Sequence, residues 1–510
     1  MNPDQFEQLV ESLRDPGCYD HDVARVEVIE THISAVLLAG DYAYKIKKPV
    51  DFGFVDFTSL EKRRHFCEEE LRLNRRFAPE LYLDVVGIHG SAAAPRLGGR
   101  EGAFEYAVKM KRFDQDALLD RCIADEGVVT VPMMEVFAAD VAAVHESADA
   151  AAPGDGYGTP EVVTANVREC WQPMRQAGLL PGDSDHWRLR DHMDAQGEAL
   201  EACFAERLRA GRVRECHGDL HLGNLFLVDD TIRAFDCIEF NADLRWIDVA
   251  NDIAFTIMDL RYHDQAGLAR RFRNAYLDAT GDHGALRVLH YYEIYRALVR
   301  AKVAALRESG RAGSGLEDAQ RHLALAAGLM DEAPRPALVV TCGLSGSGKT
   351  YVSGDLVACS EAVRIRSDVE RNRLPEAGDG RYSEQAIERV YERLLEQAEN
   401  IIGAGFPVIV DATFIRRAHR DEFRALAERL DVPFRIFYCT APEPVLRRRI
   451  RHRAEQGRDE SEADLAVLDL QLEEFEPPAD DEQRWVVEYD TQSPPLLGSI
   501  MSALELAPGD

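Results

Sequence analysis

The chain has 510 residues, 46% of them hydrophobic and 29% charged, with a formal charge of -30. That length exceeds one ordinary core and predicts two or three folded domains rather than a disordered chain. The negative balance argues against non-specific nucleic-acid binding, since a phosphate backbone would be repelled, and it suits small or cationic ligands.

The N-terminus, MNPDQFEQLVESLRDP, reads as a polar, acidic opening helix and not as a secretory leader. No apolar run reaches bilayer length, so no membrane association is expected. Ten cysteines without a CxxC pair fit reduced thiols, and a cytoplasmic location is expected. Strands follow at Ser34–Leu38 and Tyr42–Ile46. The stretch AYKIKKPV puts Lys45 and Lys47 on one face of the second strand, because side chains alternate. The chain has only eight lysines among 60 basic residues, so a lysine here stands out against an arginine background. Lys45 follows an alanine by two, as in V-A-I-K, and is the preferred candidate for the α- and β-phosphates of ATP. A helix from about Leu60 to Phe77 carries CEEELRLNRR. Glu70 is its candidate acid for an ion pair with that lysine, and Glu68 and Glu69 are the alternatives. Ala103 to Met110 reads as another strand, and EYAVKMKRF resembles a hinge where backbone groups would meet adenine. A small sheet lobe with one helix, then a helical lobe, predicts an α+β two-lobe body.

The stretch CHGDLHLGNLFL has two readings. His217 and His221 are four apart, as in a helical zinc pair, but Gly218 and Gly223 make the segment a loop, and no third ligand stands at a sensible spacing. The second reading fits position by position: His217-x-Asp219-Leu220-x-x-x-Asn224 is the pattern H-R-D-L-x-x-x-N, with Gly218 for arginine. The aspartate faces a substrate hydroxyl while the asparagine turns back to Mg²⁺. Next, LFLVDDTIRAFDCIEF predicts a hairpin turning at Asp229-Asp230, with Asp236 as the second metal-binding carboxylate. Asp248 is read either as a brace on the catalytic loop through backbone N–H groups or as a buried N-cap.

Helical sequence ends near Met330, and Pro334 and Pro336 precede a buried-type strand, so the domain boundary is expected between 332 and 333. Strands Ala337–Cys342, Val363–Arg366, Val408–Val410, Phe434–Cys439 and Trp485–Tyr489 alternate with helices, which predicts an α/β domain with a parallel sheet. Gly343-Leu344-Ser345-Gly346-Ser347-Gly348-Lys349-Thr350 fits GxxxxGK[ST] between strand and helix. Its glycines let backbone N–H groups turn around a phosphate, Lys349 would reach the β- and γ-phosphates, and the Thr350 hydroxyl would bind Mg²⁺. Asp368 and Arg371 follow a strand, where an acid can accept a hydroxyl proton and an arginine can hold substrate or phosphate. Asp411 and Thr413 end a buried strand, placed for Mg²⁺ through water or for the nucleophile. Arg447, Arg448, Arg449, Arg451 and Arg453 share one helix and its exit, either as a lid over ATP or as a solvated face.

These stretches carry two resemblances. GLSGSGKT, SDVERNRL, VIVDATF and the arginine-rich helix occur in the order of the P-loop kinases related to polynucleotide 5′-kinase, gluconate kinase and the zeta-toxin group. That resemblance makes Asp368 the base, Arg371 a substrate or phosphate contact, and Arg447 and Arg451 the lid arginines. HGDLHLGN and Asp236 resemble the aminoglycoside phosphotransferase and choline kinase branch of the protein-kinase-like fold, without a GxGxxG loop before Lys45. With AYKIKKPV, FVDFTSLEKRR and LNRRFAPELYL, the whole chain resembles bacterial two-domain proteins that join such a domain to a P-loop kinase-like domain. The implied architecture is a protein-kinase-like two-lobe domain (1–332) followed by a P-loop NTPase domain (333–510). The implied activity is a bifunctional, ATP- and Mg²⁺-dependent phosphotransferase acting on hydroxyls of small molecules, amino sugars or other cationic alcohols among them. A nucleotide-dependent regulator with a non-catalytic N-terminal domain, and a 5′-hydroxyl nucleic-acid kinase in the C-terminal half, are the rivals.

Overall fold

The computed structural model describes every residue except 54, 126, 181–185, 309–313, 333–334, 375–382, 457–463 and 507–510. Packing divides the chain into two units, Met1–His263 with Tyr295–Leu323, and Asp264–Ile294 with Ala324–Asp510.

In the first unit, helix Pro3–Ser12 opens with a capping box between Asn2 and Gln5 and buries Phe6, Leu9 and Val10. Six strands follow: β1 (Val26–Glu30), β2 (Ser34–Ala39), β3 (Tyr42–Lys47), β4 (Tyr82–Ser91), β5 (Ala94–Gly98) and β6 (Glu105–Lys111). They pair antiparallel in the order β1-β2-β3-β6-β4-β5. Alternation sorts the two faces. Leu37, Tyr44 and Ile46 pack with Phe6 and Leu9, whereas Ala43 and Val108 pack with Cys67 and Leu71 of helix Leu60–Asn74. Ser59 caps that helix, accepting from the Lys62 N–H, and its buried stripe includes Arg63, Cys67, Glu70, Leu71 and Asn74. Strands β1, β4 and β5 were not foreseen, because charged residues punctuate β1 and glycines interrupt β4.

The rest of this unit is largely helical, with short strands that frame one loop. β7 (Val213–Glu215) precedes the HGDLH segment, and the hairpin of β8 (Leu225–Val228) and β9 (Thr231–Ala234) follows it. Asp229 and Asp230 turn that hairpin with φ of +47° and +57°, the left-handed pair that a two-residue turn requires. β10 (Trp246–Asp248) pairs back onto β7 and leads into helix Val249–Tyr262.

In the second unit, β11 (Leu338–Cys342), β12 (Val363–Arg366), β13 (Val408–Asp411), β14 (Phe434–Thr440) and β15 (Val486–Asp490) form a parallel sheet in the order β12-β13-β11-β14-β15. Helices join the strands, as parallel pairing demands. Helix Ala266–Thr280 also packs in this unit: Arg270 and Arg273 pair with Glu361 at 2.7 and 2.9 Å, and Asn274 Oδ1 accepts the Arg364 N–H at 2.7 Å. The expected joint at 332/333 and its Pro334 adjoin or fall in 333–334, outside the described residues. Among the described residues, no helix is long and apolar enough to cross a membrane.

Candidate active sites

Lys45 and Lys47 leave the same face of β3, and both reach one carboxylate. Lys45 Nζ lies 2.8 Å from Glu70 Oε1, and Lys47 Nζ donates to Glu70 Oε2 at 2.7 Å. Each lysine has a second acid as well, Asp236 for Lys45 and Glu239 for Lys47. The result is a chain of alternating charge, Asp236–Lys45–Glu70–Lys47–Glu239, with Glu70 fully buried at its centre. Burial opposes charge on Glu70, but the two ammonium groups outweigh it and hold the carboxyl down to about 2. Burial likewise opposes charge on Lys45, and Asp236 and Glu70 overcome it, holding the ammonium well above the usual lysine range. Glu68 and Glu69 point off the stripe and pair with Arg64 and Arg72. Asp236 sits at φ +63°, with its N–H donating to Tyr82 Oη at 3.1 Å; the next N–H, of Cys237, donates to Asn74 Oδ1 at 2.9 Å.

The HGDLH segment is a loop, with Leu222–Asn224 as one 3₁₀ turn. Asn224 Nδ2 donates to the Asp219 carbonyl and to Asp219 Oδ2, both at 2.9 Å, which fixes the two side chains together. Burial acts to raise the Asp219 pKa, but His221, with Nε2 at 3.4 Å, and Arg300 behind it hold the carboxyl below the usual range. Gly218 has φ +87°, and a Cβ there would meet the Leu244 carbonyl at 2.7 Å. This is why glycine replaces the arginine of the kinase pattern.

The brace on this loop is Asp252, not Asp248. Asp252 accepts the N–H groups of His217 and Gly218 at 3.0 and 2.8 Å and pairs with His145 Nε2 at 3.1 Å. Asp248 instead caps helix Val249–Tyr262 through the Ala250 N–H and forms a buried pair with Arg207 at 2.6 Å. Arg296, stacked on Phe255, adds a bond to the Gly218 carbonyl at 3.1 Å. His145, Cys216 and Asp252 bring ligand-type atoms within 4.8 Å of one another. Asp252 is already engaged by the His217 and Gly218 amides and by His145, and Cys216 Sγ donates to the Ile247 carbonyl. His217 and His221 are committed too, to the Phe235 carbonyl at 2.9 Å and the Gly223 N–H at 3.0 Å.

In the second unit, the GLSGSGKT loop leaves the central strand β11 and enters helix Lys349–Cys359. Gly343, Gly346 and Gly348 have φ of +138°, +81° and +96°. A Cβ at Gly343 would lie 2.4 Å from the Cys439 carbonyl, and one at Gly346 would lie 2.9 Å from the Leu446 carbonyl. Lys349 Nζ curls back over the loop, donating to the carbonyls of Gly343 and Leu344 at 2.7 and 2.9 Å and lying 3.4 Å from Ser347 Oγ. Ser345 and Ser347 are buried, while Thr350 opens to solvent. Asp411 ends the neighbouring strand β13, and its Oδ2 accepts the Ser353 hydroxyl at 3.1 Å. Thr413 lends its carbonyl to the Gly343 N–H at 3.0 Å. Asp368 and Arg371 pair with each other at 2.6 Å on the short helix after β12.

The arginine helix, Glu443–Gln456, differs from expectation. Arg447 is tied to Glu443 at 2.7 Å and also to Asp469, and Arg451 is exposed. The arginine on the loop is Arg449, which donates to the Gly346 carbonyl at 3.1 Å and to Thr491 Oγ1 at 2.8 Å. Residues four apart share a helix face, whereas 449 lies on the other side. The helix exit at 457–463 lies outside the described residues. Sequence reasoning also missed Gln471, whose Oε1 accepts the Ser345 N–H at 2.8 Å.

The residues fit ATP and Mg²⁺ in both places. Asn224 and Asp236 in the first site, and Thr350 and Asp411 in the second, carry oxygens of the kind a hard cation takes, and the left-handed glycines of the P-loop leave its concave side to backbone groups.

Residues 67–289 match the model of the Phosphotransferase enzyme family, and residues 338–478 match that of an AAA domain. The Uncharacterized protein Rv2004c of Mycobacterium tuberculosis is 31% identical over 468 residues, covering 89% of this chain and 92% of that protein. The Uncharacterized protein Mb2027c of Mycobacterium bovis matches to the same extent, 31% over 468 residues. Among solved structures, a gluconokinase from Sinorhizobium meliloti is 24% identical, covering 34% of this chain and 91% of that one with a TM-score of 0.24. A choline/ethanolamine kinase family protein from Mesorhizobium loti is 11% identical, covering 64% and 94% with a TM-score of 0.40. With its phosphotransferase-type loop in one unit and its P-loop in the other, this chain sets a phosphotransferase domain of the protein-kinase-like fold before a P-loop kinase-like domain, and it belongs to the family of these mycobacterial proteins.

Proposed function

We propose that the chain is a tandem kinase with two separate Mg·ATP sites, in domains 1–332 and 333–510, each passing a phosphoryl group to the hydroxyl of a small molecule. The observation that carries the first half is the junction at Lys45, which touches both Glu70 and Asp236. In this reading Lys45 holds the α- and β-phosphates, and Glu70 aims it. Asn224 and Asp236 hold the metal. Asp219, pinned by Asn224, orients the acceptor hydroxyl and takes its proton. Bound Mg²⁺ would supply charge neutralisation on the phosphates; the chain itself supplies positioning.

In the second site, Lys349 exchanges its carbonyl partners for phosphate, Thr350 and Asp411 serve the metal, and Asp368 acts as base with Arg371 on the substrate or phosphate. Arg449 takes the role first assigned to Arg447 and Arg451, because it is the arginine already held against the loop. The negative balance of the chain supports an amino-sugar or other cationic alcohol as acceptor, and the ten free cysteines support a cytoplasmic setting.

The test uses labelled ATP and a metabolite extract. Asp219→Ala and Lys349→Ala are expected each to remove one of two labelled products and leave the other. A single change that abolishes both products contradicts independent sites, and retained binding without any labelled product points to a regulator.

A further inference from the structure

Helix Leu465–Glu474 packs Leu468 against Leu446 and Ile450, with Leu344, Leu465 and Leu472 around them. Gln471 lies three residues after Leu468, on the side of the helix that this apolar cluster occupies. Its carboxamide is half-buried, and Oε1 meets the Ser345 N–H inside the phosphate loop. A carboxamide carries an acceptor and a donor on one carbon. The Ser345 donor fixes the oxygen inward, so the NH₂ group lies on the other branch of the same side chain.

The loop is gripped at the adjoining group as well. Arg449, from helix Glu443–Gln456, donates to the Gly346 carbonyl. That helix runs so close that a Cβ on Gly346 would strike the Leu446 carbonyl. Two helices beyond the sheet thus hold neighbouring residues of the phosphate loop, one through an N–H and one through a C=O.

We propose that Gln471 is a specificity-determining residue that reads the terminal phosphate in the P-loop site, an inference that rests on reading this loop as a triphosphate site. In the resting loop its oxygen satisfies the Ser345 amide where a phosphate oxygen would otherwise do so. Lys349 reaches the β- and γ-phosphates and Thr350 the metal, both from the helix end of the loop. Ser345 is four residues upstream, at the end of the loop away from the helix N-terminus that draws the inner phosphates, which leaves its amide to the terminal one. With a triphosphate bound, the Gln471 oxygen yields the amide to the phosphate and its NH₂ donates to the same phosphate, a charge-assisted bond that a diphosphate cannot receive. Gln471 therefore separates ATP from ADP.

The experiment is equilibrium titration of the full chain with ADP and with a non-hydrolysable ATP analogue. The Lys349-dependent component is taken by difference from Lys349→Ala. Gln471→Ala is expected to weaken the analogue about tenfold while leaving ADP within about twofold, the worth of one hydrogen bond to a charged group. Gln471→Glu, which keeps size and the acceptor for Ser345 but cannot donate, is expected to weaken the analogue further. Equal losses for both nucleotides, or no loss in either variant, overturn the inference. An absence of Lys349-dependent binding in the unaltered chain overturns the P-loop reading itself. A Gln471→Glu chain that melts with the unaltered one keeps the result free of folding defects.

Discussion

Glu70 illustrates how one side chain sets the logic of the first site. Two lysines share its two oxygens, so neither ammonium is buried without a counter-charge. Its carboxyl falls from the ordinary 4.5 to about 2, so its contribution to stability is complete above pH 4.5 and is lost as pH drops through 2. Acid titration of the unfolding free energy is expected to show that slope between pH 4.5 and 2, flattened in Glu70→Gln. The choice among Glu68, Glu69 and Glu70 was legible in principle: Cys67, Leu71 and Asn74 mark the buried face of the helix, and only Glu70 lies on it. Gly218 is a second decisive residue. Gly218→Ala strains a backbone at φ +87° and drives Cβ into the Leu244 carbonyl, so phosphotransfer by the first site is expected to fall at least about tenfold. The labelled product that depends on Asp219 measures it.

At the scale of elements, helix Val249–Tyr262 carries two aspartates four residues apart with different work. Asp248 sits at the N-cap, where its oxygens meet a helix N–H and Arg207; Asp252, one turn inside, faces the catalytic loop. Asp252→Asn leaves one of the two oxygens that hold His217 and Gly218. The expected result is a kcat lowered about ten- to a hundredfold with the KM for ATP little changed. Asp248→Asn retains a capping oxygen but takes the Asp248 counter-charge from the buried Arg207, so the expected loss is about 1–3 kcal/mol of stability with kcat per folded molecule intact. Steady-state kinetics beside chemical denaturation separates the two. The sequence offered both acids in RWIDVANDIAF, and spacing along one helix did not say which would meet a loop some 30 residues earlier. The arginine helix repeats the lesson: composition marks it as basic, but only the packing of Leu446 and Ile450 decides that Arg449 faces the loop.

For the whole molecule, the order of elements was readable. The five parallel strands lie within a residue or so of where apolar runs and turn residues put them, and the P-loop follows the central one. Less readable was how far the second unit reaches back along the chain. Glu361 receives Arg270 and Arg273 from a helix that precedes the P-loop by about 70 residues. Glu361→Ala leaves the buried Arg273 unpaired and is expected to destabilise the second unit by about 2–3 kcal/mol, seen as an earlier melting transition. Local spacing determined the motifs by itself, because the backbone of a loop or strand fixes what lies two, four or five residues away: Asp219 with Asn224, Lys45 beside Lys47, glycines around a phosphate. What only the tertiary structure decided are the meetings across long stretches of chain, Lys45 with Asp236 over 191 residues, and Ser345 with Gln471 over 126. Such contacts arise from how buried faces stack, and one sequence records the faces without recording which pair will be pressed together.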